Sequence, residues 1–217
     1  MRNIRINKII SYLRKYGILG FLGKTFCSIC SPFFSYHPLN FYGIRKLPQS
    51  QVEVGCSLEI RQIFAVDIDL VCDLLSYSNE PNIFEWLRFR FDNKSELFLA
   101  FNKNQVVHSA WAHYFDGINE VFPLVKIKRD EAFIGRCETH PEFRGKNIYP
   151  VVLQHIVRHV FARNKKKCFI STDPKNIASI KGIEKAGFSF VWKKRKIRLF
   201  GKVFNNEWDS SKMINNI

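Results

Sequence analysis

The sequence predicts a mixed α/β domain of the α+β kind, and three observations carry the prediction. Strand-like and helix-like segments alternate from residue 52 onward, with no internal repeat. The 217 residues, 46% hydrophobic and 24% charged, suit one globular domain with a modest extension. The 21 Phe lie among Ile and Val in short runs, the usage of a packed sheet and not of a low-complexity tract.

Residues 1–51 read as a basic extension and linker, 52–203 as the domain, and 204–217 as a C-terminal tail. Within residues 3–16, Ile6, Ile9, Ile10 and Leu13 recur at helical spacing with Lys8, Arg14 and Lys15 elsewhere on the wheel, so this segment reads as a basic amphipathic helix. Two readings stay open for it: a helix lying on an anionic membrane, and one docking its apolar stripe on the domain. Its longest uninterrupted apolar stretch, Ile18 to Leu22, is too short to span a bilayer. From Ser31 to Gln51, Pro32, Pro38 and Pro48 mark an irregular linker.

Charge is uneven. Of the net +15, the first 50 residues contribute eight basic side chains and no acid, and Lys193 to Lys202 contributes another basic cluster. Such fields attract polyanions, among them nucleic acid, acidic headgroups, nucleotide-sugars and smaller phosphate ligands. Six cysteines, at 27, 30, 56, 72, 137 and 168, form no disulfide framework, and a reducing cytoplasm fits them. Cys27 and Cys30 make a C-x-x-C, but His37 and Cys56 do not supply a second pair of zinc ligands, so no metal is expected.

Within the domain, Ser57–Phe64 reads as a strand, Asp67–Tyr77 as a helix, and Ile83–Asp92 as a second helix. Leu97–Asn102 and Val106–Tyr114 are strands flanking the short polar connection Lys103-Asn104-Gln105. Ala132–Thr139 is the next strand. It runs into Thr139-His140-Pro141-Glu142-Phe143-Arg144-Gly145-Lys146-Asn147-Ile148-Tyr149-Pro150 and then into an amphipathic helix. Tyr149, Val152, Leu153, Ile156, Val157, Val160 and Phe161 form the apolar stripe of that helix, while Gln154, His155, Arg158 and His159 lie off it. A strand ending in a basic, glycine-containing turn that opens a helix is an anion cradle. The first helical N–H groups lack intrahelical partners, the helix dipole is positive there, and Gly145 permits close backbone approach. Next come a strand, Cys168–Thr172, and the segment Asp173 to Phe188, with Asp173 and Asn176 as cap candidates and Gly187 as the helix stop. Phe188 starts a further strand to about Trp192.

These two segments resemble the GNAT acetyltransferases. Thr139 to Lys146 echoes the family's Val-x-Pro-x-x-Arg-Gly-Lys, and Asn176 to Phe188 echoes its Asn, helix, Glu-Lys-x-Gly-Phe signature. Asn147 and Tyr149 stand where the family loop carries small residues. The resemblance covers about residues 52–200. It implies a GNAT-like twisted mixed sheet flanked by helices and splayed between the strands ending at Thr139 and Thr172, with acetyl-CoA as co-substrate in the wedge. On that basis Arg144, Gly145, Lys146, Asn147, Ile148 and Tyr149 would hold the pyrophosphate, Cys137 and Thr139 the pantetheine arm, and Asn176 and Ser179 the opposite wall.

Transfer to an amine needs an acceptor for its proton and a donor for the leaving thiolate. Family carboxylates are missing at Phe133 and Ser171, and the family's Tyr acid is replaced by Ile183. Glu138 is the first candidate base, a solvated or ion-paired strand end being the alternative reading. His140 is the second, and Tyr149 or Ser179 is the candidate for the thiolate. His155 and His159 read as surface residues, and His108 and His113 as unpaired because their strand parities differ. Trp111 suits the core or an acceptor pocket equally, and Lys165-Lys166-Lys167 a solvated turn. The expected acceptor is a small-molecule primary amine. The basic extension and the Arg-Gly-Lys loop followed by Ile-Tyr-Pro resemble acyltransferases of bacterial surface-polysaccharide synthesis, which implies an amino sugar or amino-sugar nucleotide. The expected location is the cytoplasm, with peripheral contact to an anionic membrane through residues 1–50. A second reading is an inactive scaffold of the same fold binding such a membrane or nucleic acid; nucleic acid is the less favoured partner.

Overall fold

The computed structural model describes residues 34–65, 83–114, 127–199 and 202–205. The expected helices over 3–16 and 67–77, the pair Cys27 and Cys30, and most of the C-terminal tail lie outside them. The chain divides into two compact units, Met1–Pro38 with Arg195–Asn206, and Leu39–Lys194 with Glu207–Ile217.

Seven strands contribute to the larger unit, the first and last of them only in part. In chain order these are β1 (Phe34–Ile44), β2 (Glu59–Ile63), β3 (Glu96–Asn102), β4 (Gln105–Tyr114), β5 (Glu131–Thr139), β6 (Lys167–Thr172) and β7 (Ser189–Leu199). Helix α1 (Ile83–Asp92) precedes β3, α2 (Ile148–Ala162) links β5 to β6, and α3 (Ile177–Lys185) links β6 to β7. The spatial order is β2-β3-β4-β5-β6-β1-β7. The β2–β3, β3–β4, β4–β5 and β1–β6 pairs are antiparallel, and β5–β6 is parallel. A parallel pair cannot be closed by a tight turn, and α2 is the crossover between the two strands. In the smaller unit, the end of β7 forms a hairpin with β8 (Lys202–Asn205), in register Lys196↔Asn205 to Leu199↔Lys202. No helix among the described residues is long and apolar enough to cross a membrane.

Core packing follows from β3, whose sequence Leu97-Phe98-Leu99-Ala100-Phe101 is apolar without alternation because both faces are covered. Phe98 and Ala100 join Val152, Leu153, Ile156, Val157 and Val160 of α2 in one cluster, while Leu97, Leu99 and Phe101 join Leu87 of α1 and Trp111 in another. Truncating a fully buried side chain such as Leu153 to Ala costs about 2–5 kcal/mol. Gln154, off the apolar stripe of α2, is nonetheless buried. Its Nε2 donates to the Ser50 carbonyl at 3.0 Å and its Oε1 accepts from Val52 N at 3.2 Å, tying the approach to β2 onto the helix.

The irregular linker expected between Ser31 and Gln51 is corrected, because residues 34–44 are strand β1. Its ladder to β6 runs from Asn40↔Thr172 to Ile44↔Cys168, between the breaks at Pro38 and Pro48. Proline lacks an N–H only at its own position, and neither proline falls within the ladder to β6. Phe41, Tyr42 and Ile44 are buried, with Phe41 stacked on Trp192 at 4.6 Å between ring centroids. β7 also continues past Trp192 through the basic run. The connection between β3 and β4 has only two residues, Lys103 and Asn104, with Lys103 in the left-handed region at φ 55°.

Candidate active site

The β5–β6 ladder covers only Glu131–Ile134 against Lys167–Ile170. Beyond it each strand stays with its other neighbour, β5 with β4 and β6 with β1, so the two part like a wedge. β5 also carries one extra residue here. Ser109 pairs with Glu138 and Trp111 with Gly135, so three steps on β5 oppose two on β4, and Arg136 takes a positive φ of 49°. Such a bulge breaks strict alternation. Consequently the consecutive residues Cys137, Glu138 and Thr139 all line a cavity of about 710 Å³ that occupies the wedge.

The end of this cavity is the turn into α2. Pro141–Phe143 form one 3₁₀ turn, Gly145 follows with φ 78°, and Asn147 with φ 61°, ψ 16°. A Cβ on Gly145 would meet nothing within 4 Å, so its requirement is conformational and not steric. Asn147 supplies a left-handed conformation that Asn tolerates better than most residues, which is how a non-glycine fits a position where a small residue was expected. Its side chain is committed elsewhere, donating to the Glu53 carbonyl at 3.1 Å and accepting from Lys185 Nζ at 2.9 Å. Hence α2 has no side-chain cap. Pro150 has no N–H to leave unpaired, and the Ile148 and Tyr149 amides have no carbonyl a turn earlier within the helix. Cationic side chains gather around this end: Arg144, whose Nε donates to the Thr139 carbonyl at 3.3 Å, Lys185, and Lys181, all lining the cavity.

Opposite stands α3, contributing Asn176, Ala178, Ser179, Lys181, Gly182 and Lys185. Of the residues singled out from sequence, Cys137, Glu138, Thr139, Arg144, Gly145, Asn147, Ile148, Tyr149, Asn176 and Ser179 meet around this one space. His140 and Lys146 do not line it. The backbone of His140 is tied to Val107 and Phe143, donating to the first carbonyl and accepting from the second amide, each at 2.9 Å, and its ring meets Phe143 edge-on. The Lys146 ammonium lies 4.5 Å from the Phe143 ring centroid. Sequence reasoning missed Lys181, Gly182 and Lys185. Their signal was present as helical spacing, since 178, 181, 182 and 185 share one face of α3.

Protonation is set by enclosure. Tyr149 is held well above the usual phenol range, first by burial and then by the neighbouring Cys137. Burial pushes the Cys137 thiol up to about 12, offset in part by the nearby Tyr149 hydroxyl, and the thiol lies 3.8 Å from the Gly135 carbonyl, to which it donates. His108 on β4, fully buried, is brought down to about 3 by burial and is a neutral imidazole at physiological pH. Its Nδ1 lies 2.7 Å from Thr139 Oγ1 and its ring 5.6 Å from that of Tyr149, while Nε2 has no hydrogen-bond partner among the described residues. Glu138 is half-buried and supplies the carboxylate in the wall. Among the described residues, no group of three or more His, Cys, Asp or Glu could hold a metal ion.

The sequence matches the family model described as the acetyltransferase (GNAT) family over residues 64–188, more than half of the chain. The chain belongs to the GNAT acetyltransferase family. Among solved structures, a GNAT acetyltransferase from Colwellia psychrerythraea superposes with a TM-score of 0.55 at 18% identity, over 80% of this chain and 59% of that one. A GCN5-related N-acetyltransferase from Sphaerobacter thermophilus gives 0.56 at 13% identity, over 86% of this chain and 58% of that one. At such identities the likeness is one of GNAT fold, and this chain spans less than two thirds of either relative. No curated protein matches the sequence. β1 lies outside the residues the family model matches, yet it flanks β6, one wall of the wedge.

Proposed function

We propose that this GNAT chain transfers an acetyl group from acetyl-CoA to a primary amine. The observation that carries the reading is the wedge between β5 and β6, which opens onto a helix N-terminus left without a side-chain cap and surrounded by Arg144, Lys181 and Lys185. A pyrophosphate suits that end, because oriented amides and helix dipole favour an anion. An extended, partly apolar arm suits the groove between Cys137–Thr139 and Asn176–Ser179. Acetyl-CoA supplies an activated carbonyl as a thioester.

The chain's own groups do the remaining work. The amine nitrogen bonds to the carbonyl carbon and the carbon–sulfur bond breaks. Glu138, directly or through water, takes the proton released by the amine, and the Tyr149 hydroxyl provides one to the departing sulfur. A phenol kept protonated by burial is in the right state for that role. An amino sugar or amino-sugar nucleotide is the acceptor we favour, on the resemblance of the Arg-Gly-Lys loop and its flanks.

Calorimetric titration with acetyl-CoA, with free CoA and ATP alongside, tests this reading. Micromolar binding that prefers acetyl-CoA is expected, followed by thiol release when amino-sugar nucleotides are added. Equal affinity for ATP, or no binding, overturns it.

A further inference from the structure

Gly182 sits in the interior of α3, where glycine is a poor helix former, and its backbone is not in the left-handed region that would call for one. The reason for it lies across the cavity. A Cβ on Gly182 would stand 2.6 Å from Tyr149 Cδ1, 3.0 Å from Cε1 and 3.6 Å from Cγ. Tyr149 belongs to the first turn of α2, and its ring lies against the bare backbone of α3 at Gly182. The ring is bounded elsewhere too. Its hydroxyl neighbours Cys137 at the β5 bulge, and the His108 imidazole, anchored to Thr139, lies beside the ring at a 32° tilt.

We propose that Gly182 is a positioning residue for Tyr149: it forms the slot that keeps the ring out of the groove and its hydroxyl beside Cys137. This rests on the acetyl-transfer reading, because what the slot keeps open is the path of the pantetheine arm. A ring expelled from the slot enters the cavity, which Tyr149 and Gly182 both line. During turnover the Tyr149 O–H bond breaks as a new S–H bond forms. The phenolate then recovers a proton from the one the amine released, so thiol and amide leave with no net gain or loss.

Four proteins test the pair: wild type, Gly182→Ala, Tyr149→Ala and the double variant, each measured for acetyl-CoA affinity by calorimetry and for thermal melting. Gly182→Ala should weaken acetyl-CoA binding about tenfold, within the range of overpacking one methyl group. In the Tyr149→Ala background the same methyl should have no effect, so the double variant binds as Tyr149→Ala does. An equal loss in both backgrounds, or none in either, overturns the proposal. If Gly182→Ala does not fold, recovery of folding in the double variant supports the slot and continued failure refutes it. Absence of acetyl-CoA binding by wild type would instead sink the functional reading, while non-additive melting temperatures would still reveal the steric pair.

Discussion

Two strand-to-helix junctions face each other across the wedge, and they are finished in opposite ways. At the β6–α3 junction, Asn176 caps its own helix, its Oδ1 accepting from Ser179 N at 3.1 Å, and Asp173 Oδ1 accepts from Lys175 N at 2.7 Å. At the β5–α2 junction the equivalent Asn147 is in the left-handed region, its side chain is bonded to Glu53 and Lys185, and no side chain caps the helix. Both helices present orphan amides; at α3 the Asn176 side chain caps one of them, and at α2 no side chain caps any. The difference teaches where to look for an anion: at the junction whose cap residue has been turned to other work.

Each junction also rests on a different support, and removing the supports gives the largest effects. The closed junction stands on β6, whose outer neighbour is β1. Phe41→Ala should therefore cost about 3–5 kcal/mol, the loss expected of a buried aromatic stacked on Trp192. Chemical denaturation checks this. A change within about 0.5 kcal/mol, as for an exposed linker residue, would contradict the strand.

Beneath the open junction is His108, holding Thr139. Because the native pKa is depressed to about 3, the unfolded chain binds the extra proton once pH falls below about 6.5. The contribution of His108 is thus complete above that pH and is lost as pH falls toward 3, with a slope approaching about 1.4 kcal/mol per unit. His113, also held well below the usual range by burial and by Arg90, adds to the same trend. Denaturation midpoints between pH 6 and 5, above most carboxylate titration, should show the fall in the native protein and a shallower one in His108→Asn. Equal slopes would mean that His108 is not buried as a neutral ring.

Much of this arrangement was legible in the sequence because it is local. Helix α2 announced itself through its period, and the turn from Thr139 to Pro150 through its basic and small residues. Asn176 and Gly187 marked the ends of α3. What was hidden is what depends on partners distant in the chain. β1 looked irregular because Pro38 lies inside it and Pro48 soon follows, and its neighbours lie more than a hundred residues away in sequence. The bulge at Arg136 left no local mark, yet it brings three consecutive side chains to the cavity. His140 was drawn to the site by proximity in sequence, whereas His108, set aside for its strand parity, reaches it through Thr139. Gly182 had no meaning until Tyr149 was seen against it.

The smallest expected effects separate the two junctions most directly. If the uncapped end of α2 is the anion site, reversing the charge of Arg144 should act on binding, and removing the cap of α3 should act on stability. For Arg144→Glu, acetyl-CoA affinity should drop on the order of thirtyfold, about 2 kcal/mol, the scale of a hydrogen bond to a charged group, with little change in melting because the side chain is exposed. For Asn176→Ala, the loss of a cap should cost about 1 kcal/mol of stability. Its acetyl-CoA affinity should fall much less than that of Arg144→Glu, since the Asn176 oxygen is already occupied by its own helix. Calorimetry and melting of both variants decide the matter. Were the losses exchanged, with Asn176→Ala abolishing binding and Arg144→Glu leaving it intact, the phosphates would have to be assigned to α3, and the open end of α2 would need another explanation.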